Sequence, residues 1–168
     1  CAAALGYPAL GLTDAADLGD VVRFVLAARR RGIKPIVGSE LLISDNDAIS
    51  AGERRESMAH PAAFLVVNQK GYCNIAGLIT QARVGRLDSW TREHPHTTRG
   101  LASVTWSQVI ERSEGLIALT GPPSGRLATL VRTGRRADAL RHLAEWREVF
   151  GDRLAVEVQR HEGSTSEA

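Results

Sequence analysis

Residues 8–43 read PALGLTDAADLGDVVRFVLAARRRGIKPIVGSELLI, and this stretch decides the fold class of the chain. It begins and ends with apolar runs, Pro8–Asp14 and Ile33–Ile43, that are typical of buried strands. Between them, apolar residues recur at helical spacing, Asp17 can cap the start of the helix, and Gly32 can end it. The apolar positions are Leu18, Val21, Val22, Val25 and Ala28. Strand, helix and strand at this spacing predict a βαβ unit.

Outward from this unit the same alternation continues. Further strands are predicted at 62–67, 115–120 and 153–159, and further helices at 71–84, 106–112, 126–133 and 135–149. Residues 1–6 read as the last turns of a helix, residues 44–60 and 85–103 as loops, and residues 162–168 as a polar tail. The pattern predicts a single α/β domain over residues 1–161, built on a mostly parallel sheet or barrel.

The composition narrows the class of protein. The 168 residues are 43% hydrophobic and 24% charged, which is the balance of an ordinary globular chain. No apolar stretch approaches the roughly 20 residues that a membrane helix needs, and no secretory signal is visible. The two cysteines, Cys1 and Cys73, cannot form a disulfide framework. We therefore expect a cytoplasmic chain with no membrane association.

Charge gives little reason to expect a nucleic-acid-binding protein. The formal net charge is only +2, and the basic residues are nearly all scattered arginines. Short clusters at 29–31 and 135–136 are better interpreted as solvated helix faces and ends than as a phosphate-binding patch. We expect weak or no direct DNA binding.

Polar residues at the strand ends are the candidates for chemistry, because function in parallel α/β folds lies at the carboxyl ends of the strands. Asp14 ends the first strand, Glu40 lies in the second, and His60 flanks the third. Acids and imidazoles from several strands suit a divalent metal. The alternative is that Glu40 is a solvated strand-end carboxylate and His60 a loop residue.

Other candidate residues have plainer interpretations. His94 and His96 have the spacing of two metal ligands, but their polar surroundings favour a solvated loop. His142 reads as a surface residue of a helix, and Cys73 as a packing residue. Neither of the common glycine-rich phosphate loops occurs in the sequence.

Five blocks together resemble a known family. They read AAALGYPALGLTD, AARRRGIKPIVGSEL, VVNQKGYCNIAGLITQAR, EGLIALTG and REVFGDRLAVEVQRH, and they cover almost the whole chain. They are similar to the PHP (polymerase and histidinol phosphatase) domain that opens the α subunit of bacterial DNA polymerase III, in its error-prone branch. The resemblance implies a distorted (βα)7 barrel with a metal cluster at the strand carboxyl ends. Relative to that barrel, this chain is expected to be incomplete at both ends.

The metal motifs of the family are matched poorly. Its His-x-His and Asp-x-His motifs are absent, and its Thr-Asp-His-Asp motif reads Thr13-Asp14-Ala15-Ala16. The family's acid matches Glu40. The imidazole of the next strand falls on Pro61, so that His60, one residue away, could serve only with a local bulge. A common cysteine position is Pro122, and His161 matches a common position that is not a ligand.

The resemblance therefore implies no catalytic residue in this chain. Glu40 and His60 remain as vestigial metal ligands, and Asp14 remains as a residue that would contact these ligands rather than the metal. The chain is expected to be a non-catalytic structural segment of an error-prone DNA polymerase, without a cofactor. It would brace the polymerase module, with the rest of the polymerase chain and other replication or repair subunits as partners. The alternatives are a metal-dependent phosphoesterase (a 3′–5′ exonuclease or a phosphatase) that uses zinc or manganese, and a gene remnant.

Overall fold

The computed structural model describes residues 2–44, 59–89 and 103–159, with the backbone alone for 85–89. Strands and helices alternate along these residues. The strands are β1 (Ala9–Ala15), β2 (Lys34–Ser44), β3 (His60–Val66), β4 (Ser103–Thr105), β5 (Leu116–Leu119) and β6 (Leu154–Ala155). The α-helices are α1 (Val21–Arg30), α2 (Gln69–Ser89), α3 (Trp106–Glu111), α4 (Arg126–Arg132) and α5 (Arg136–Phe150). Short 3-10 helices cover Ala2–Leu5 and Gly151–Arg153.

The strands form one open sheet in the order β1-β2-β3-β5-β6, with β4 beside β2. The pairs β1/β2, β2/β4 and β5/β6 are parallel. In contrast, β3 runs antiparallel to both of its neighbours. The prediction of an α/β sheet is confirmed, but the described residues do not show its closure into a barrel.

The two faces of this sheet differ in their covering. One face, which we call the helix face, carries fully buried side chains such as Leu41, Phe64 and Leu116, which belong to one hydrophobic core with residues of α2, α3 and α5. The other, which we call the open face, carries Glu40, Leu42, Leu65, Ile117 and Leu119, which are all only half-buried. Successive residues of a strand point to opposite faces, so this alternation follows from the strand periodicity.

Aromatic rings form the centre of the helix-face core. The ring of Trp146 stacks on Trp106 at a centroid distance of 5.0 Å and on Phe64 at 6.2 Å. Phe150 lies 6.0 Å from Phe64 and closes the cluster. Burial of each such ring stabilises the fold by about 1.5–3 kcal/mol. This cluster fixes α5 against β3 and α3.

The βαβ unit has the predicted order but differs in detail. The helix begins at Val21 rather than at Asp17, because the Asp17 carboxylate accepts a hydrogen bond from the Gly19 N–H within the preceding turn. The residue at the helix start is Asp20, whose side chain makes no capping bond. Val22, expected in the core, is 68% exposed, so the buried stripe is narrower than predicted.

Later elements also depart from the prediction. The helix α2 continues to Ser89, into a predicted loop, and β4 was not expected. The last strand covers only Leu154–Ala155 instead of 153–159. Cys73, expected to pack, is exposed. Among the described helices, none is both long and apolar enough to span a bilayer.

Candidate functional site

The predicted site residues lie at one edge of the sheet. The carboxyl ends of β1, β2 and β5 lie at this edge because these strands run in the same direction. The antiparallel direction of β3 brings its first residue, His60, to the same edge. The prediction that His60 flanks the third strand is therefore corrected: His60 is the first residue of that strand.

The open face holds three of the positions that the resemblance assigns to metal ligands. Ala15 pairs with Glu40 across β1 and β2, so both side chains point to this face. Pro61 pairs with Leu42, two residues from Glu40 on the same face. Diagonal neighbours of this kind lie about 7–8 Å apart in an antiparallel pair. The three positions are therefore adjacent, but only Glu40 carries an atom that could bind a metal.

The loop after β5 packs against the same region. Gly121 has a φ of +93°, and a Cβ on it would lie 2.3 Å from the carbonyl oxygen of Pro61. The N–H of the buried Thr120 donates to the Ala155 carbonyl, and its Oγ accepts from the Glu157 N–H at 3.1 Å. Pro122 follows directly, so the fourth family position also belongs to this edge and offers no ligand.

His60 does not join Glu40. It pairs with Ile43, which lies on the helix face, whereas Glu40 lies on the open face. The ladder from Gly38 to Ile43 runs without interruption, so there is no bulge that could turn the imidazole towards Glu40. Burial lowers the pKa of His60 below its usual 6.5. Among the described residues, no three histidine, cysteine or acidic side chains are arranged to hold a metal ion.

Asp14 also faces away from Glu40. It pairs with Ser39 on the helix face, and the Ser39 hydroxyl donates to the Asp14 carbonyl at 2.7 Å. The next turn is held by hydrogen bonds to its backbone. Ala16 has a φ of +48°, and its N–H donates to the Glu40 carbonyl. The Arg83 guanidinium donates to the Ala16 carbonyl at 2.7 Å. This turn therefore keeps a defined shape even though two of its residues are alanines.

The carboxylate of Asp17 also stabilises this turn. Hydrogen bonds from the Gly19 and Leu18 N–H groups lower the pKa of its carboxyl group, and the Arg83 guanidinium at 3.5 Å adds to the effect. The side chain thus stays ionised and stabilises the turn rather than reaching the sheet edge.

A pocket on the helix face was missed by the sequence analysis. His142 lies in this pocket with His60 and Trp146, and is half-buried rather than on the surface. The burial of His142 could have been predicted from the sequence, because His142 is one helical turn before the buried Trp146 and so lies on the same face of the helix. Of the other candidates, His94, His96 and His161 lie outside the described residues.

Comparisons with known proteins confirm the similarity to the PHP domain of DNA polymerase III α subunits. The model of the PHP domain family matches residues 1–161. The DNA polymerase III subunit alpha of Caulobacter vibrioides is 35% identical over 95% of this chain, that of Pseudomonas aeruginosa 32% over 94%, and that of Mycobacterium tuberculosis 28% over 94%. The chain spans only 12% to 14% of the length of these relatives.

Proposed function

The chain belongs to the PHP domain family, and from this premise we propose that it is a non-catalytic structural segment of a bacterial DNA polymerase III α-like protein. We assign it to the error-prone type, on the motif resemblance given above. Its role is to brace the polymerase module and to present a surface to partner subunits. Its relatives are polymerase subunits of much greater length, which supports a part within a larger chain.

The observation that carries this proposal is the chemistry of the open-face positions. Alanine and proline side chains have no lone pair to give a metal ion, so Ala15 and Pro61 leave Glu40 without neighbouring ligands. Catalytic zinc needs about three protein ligands before it can lower the pKa of a bound water. A single carboxylate cannot hold such a centre, and phosphodiester hydrolysis has no nucleophile there.

The open sheet suggests where this segment belongs in the larger molecule. We place it within the wall of a distorted (βα)7 barrel, with the open face towards the interior. The half-buried apolar side chains of that face, including Leu65 and Ile117, support this placement, because they gain burial when the barrel closes. The segment then acts through packing rather than through chemistry.

The second candidate function is a metal-dependent phosphoesterase, with zinc or manganese as its cofactor. The one observation in its favour is that Glu40 keeps both the residue type and the position of a family ligand. The two functions make opposite predictions about Glu40, which allows a direct test.

The test measures metal content and manganese-dependent hydrolysis of bis-p-nitrophenyl phosphate in the complete gene product. We expect the wild type, Glu40→Ala and the control Glu111→Ala to give the same background rate and the same metal content. Ala15→His should also bind no additional metal, because one returned ligand leaves the site undercoordinated. Hydrolysis by the wild type that disappears in Glu40→Ala, but not in Glu111→Ala, would establish the phosphoesterase instead.

The gene context separates the broader classes. A downstream module with three catalytic aspartates supports the polymerase assignment. A reading frame that ends soon after an Asp-x-His motif supports a free phosphoesterase. A frame that contains neither supports a gene remnant.

A further inference from the structure

The pocket on the helix face is a second site, separate from the open face that the family uses. It has a volume of about 220 Å³ and lies between β3, the start of α4, and α5. This is smaller than the roughly 300–1,000 Å³ of pockets that enclose drug-sized ligands. An occupant of this cavity is therefore a small molecule.

The lining of the pocket combines a flat apolar wall with a few polar groups. Trp106 and Trp146, stacked on each other, form the wall, and Trp106 is only half-buried. Of the described residues that line the pocket, Arg126 is the only permanent cation and Glu145 the only carboxylate. A flat ring of a ligand packs favourably against such a wall.

Two imidazoles, those of His60 and His142, also line this pocket. Burial, the nearby Arg126 and His60 lower the pKa of His142 to about 4. An imidazole N–H group is a hydrogen-bond donor, so both side chains can bind oxygen atoms of a ligand. The Arg126 guanidinium can form charge-assisted bonds to an acidic group.

From this arrangement we propose that the helix-face pocket binds a small aromatic anion, with its ring against Trp106 and its phosphate or carboxylate group on Arg126. The exposed Glu145 at the rim opposes the negative charge and limits the affinity. This site uses no residue of the open face except the neighbouring Pro61, so it is independent of the structural role proposed above.

The test uses ligand-observed NMR and titration calorimetry with the complete gene product and phenyl phosphate as the probe. Inorganic phosphate and benzyl alcohol serve as the anion and the ring alone. We expect phenyl phosphate to bind more tightly than either half, with saturation transfer strongest at its ring protons. Arg126→Gln should weaken binding about tenfold, the loss of one charge-assisted contact. Glu145→Gln should strengthen it.

Arg132→Gln is the matched control, since Arg132 is exposed at the other end of the same helix, and it should leave binding unchanged. Trp106→Leu should remove the advantage of phenyl phosphate over inorganic phosphate. No binding of phenyl phosphate by the wild type, or equal affinity in Arg126→Gln and the wild type, would overturn the proposal. Binding that is unchanged in Glu145→Gln would contradict the charge argument and with it the assignment of the anion to this pocket.

Discussion

His142 is the residue whose ionisation is most clearly set by its surroundings. Its ring lies 5.4 Å from the ring of Trp146, and its pKa is lowered from 6.5 to about 4. Burial is the largest cause, and the positive charge of Arg126 is the next. The folded protein therefore resists adding a proton to this imidazole, whereas the unfolded chain accepts one below pH 6.5.

We predict from this that stability falls as the pH is lowered from 6.5 towards 4, because the unfolded state binds the additional proton in that range. Above pH 6.5 the imidazole is neutral in both states and contributes nothing to the pH dependence. His142→Asn should reduce the acid-induced loss by on the order of 1–2 kcal/mol, allowing for the partial exposure of the ring. Thermal unfolding of the complete gene product and the variant at pH 7.5, 5.5 and 4.5 measures this. An equally steep acid loss in the variant would show that other groups, such as His60, dominate.

Among the described glycines, Gly71 is the one at which an added Cβ would come closest to a neighbouring atom, the carbonyl oxygen of Gly115. A Cβ on Gly71 would lie 1.9 Å from the Gly115 carbonyl oxygen, and Gly115 itself has a φ of +72°. Any side chain on Gly71 must therefore separate the start of α2 from the turn before β5.

Gly71→Ala should destabilise the protein by about 2–4 kcal/mol, as expected for overpacking that forces backbone movement. The matched control is Gly11→Ala, at which a Cβ meets nothing within 4 Å. Soluble yield and resistance to limited proteolysis of the gene product report the difference. Equal resistance of the two variants would mean that the α2–β5 contact is loose in solution.

At the level of elements, α3 has the clearest local determinant. Thr105 accepts a hydrogen bond from the Gln108 N–H, and the Gln108 side chain accepts one from the Thr105 N–H, which makes a capping box. This box starts the helix directly after β4 and so aims Trp106 into the core.

Thr105→Ala should cost about 0.5–2 kcal/mol, the usual range for loss of an N-cap. Thr80→Ala is the control, because the Thr80 hydroxyl donates to the Ala76 carbonyl of its own helix, a contact that adds little. The difference in stability comes from the urea midpoints of the complete gene product and its variants, followed by tryptophan fluorescence. A cost for Thr80→Ala as large as that for Thr105→Ala would argue against the cap as the determinant.

Elements with strong periodicity were predictable from the sequence, and tertiary contacts decided the rest. The first βαβ unit and α3 with its cap at Thr105 follow from local patterns. The antiparallel direction of β3 does not, since nothing within His60–Val66 encodes direction. The register of β3 against β2 also decides which residues can form a site, because it puts His60 on the opposite face from Glu40. The sequence pattern predicts that the candidate residues lie at one edge of the sheet. Only the pairing of the strands decides to which face of the sheet each side chain points.

At the scale of the whole molecule, the charge balance gives little reason to expect tight nucleic-acid binding. Arg135 and Arg141 both bond to Asp138, Arg83 pairs with Asp17, and Arg23 pairs with Asp20. The net charge of only +2 leaves little excess positive charge with which to neutralise phosphates. We predict weak binding of single- and double-stranded DNA by this segment at physiological salt. Electrophoretic titration that finds a tight complex with a steep salt dependence would contradict this.

The uncovered apolar surface of the described chain leads to a prediction about its behaviour when it is produced alone. The open face leaves Leu42, Ile117 and Leu119 half-exposed, and beyond the short β6 the side chains of Val156 and Val158 are 62% and 84% exposed. Adjacent apolar side chains and free strand edges favour association with other chains.

We therefore expect the isolated 168-residue chain to bind a hydrophobic dye strongly, to aggregate at micromolar concentration, and to unfold without a sharp transition. A paired variant, Val156→Lys with Val158→Lys, should raise solubility, because charges on an edge oppose strand pairing without removing any core contact. Light scattering and calorimetry measure both effects. A soluble wild-type monomer with a single cooperative transition would contradict the prediction, since it would mean that the open face needs no further covering, and it would weaken the proposed placement of this segment in a barrel wall.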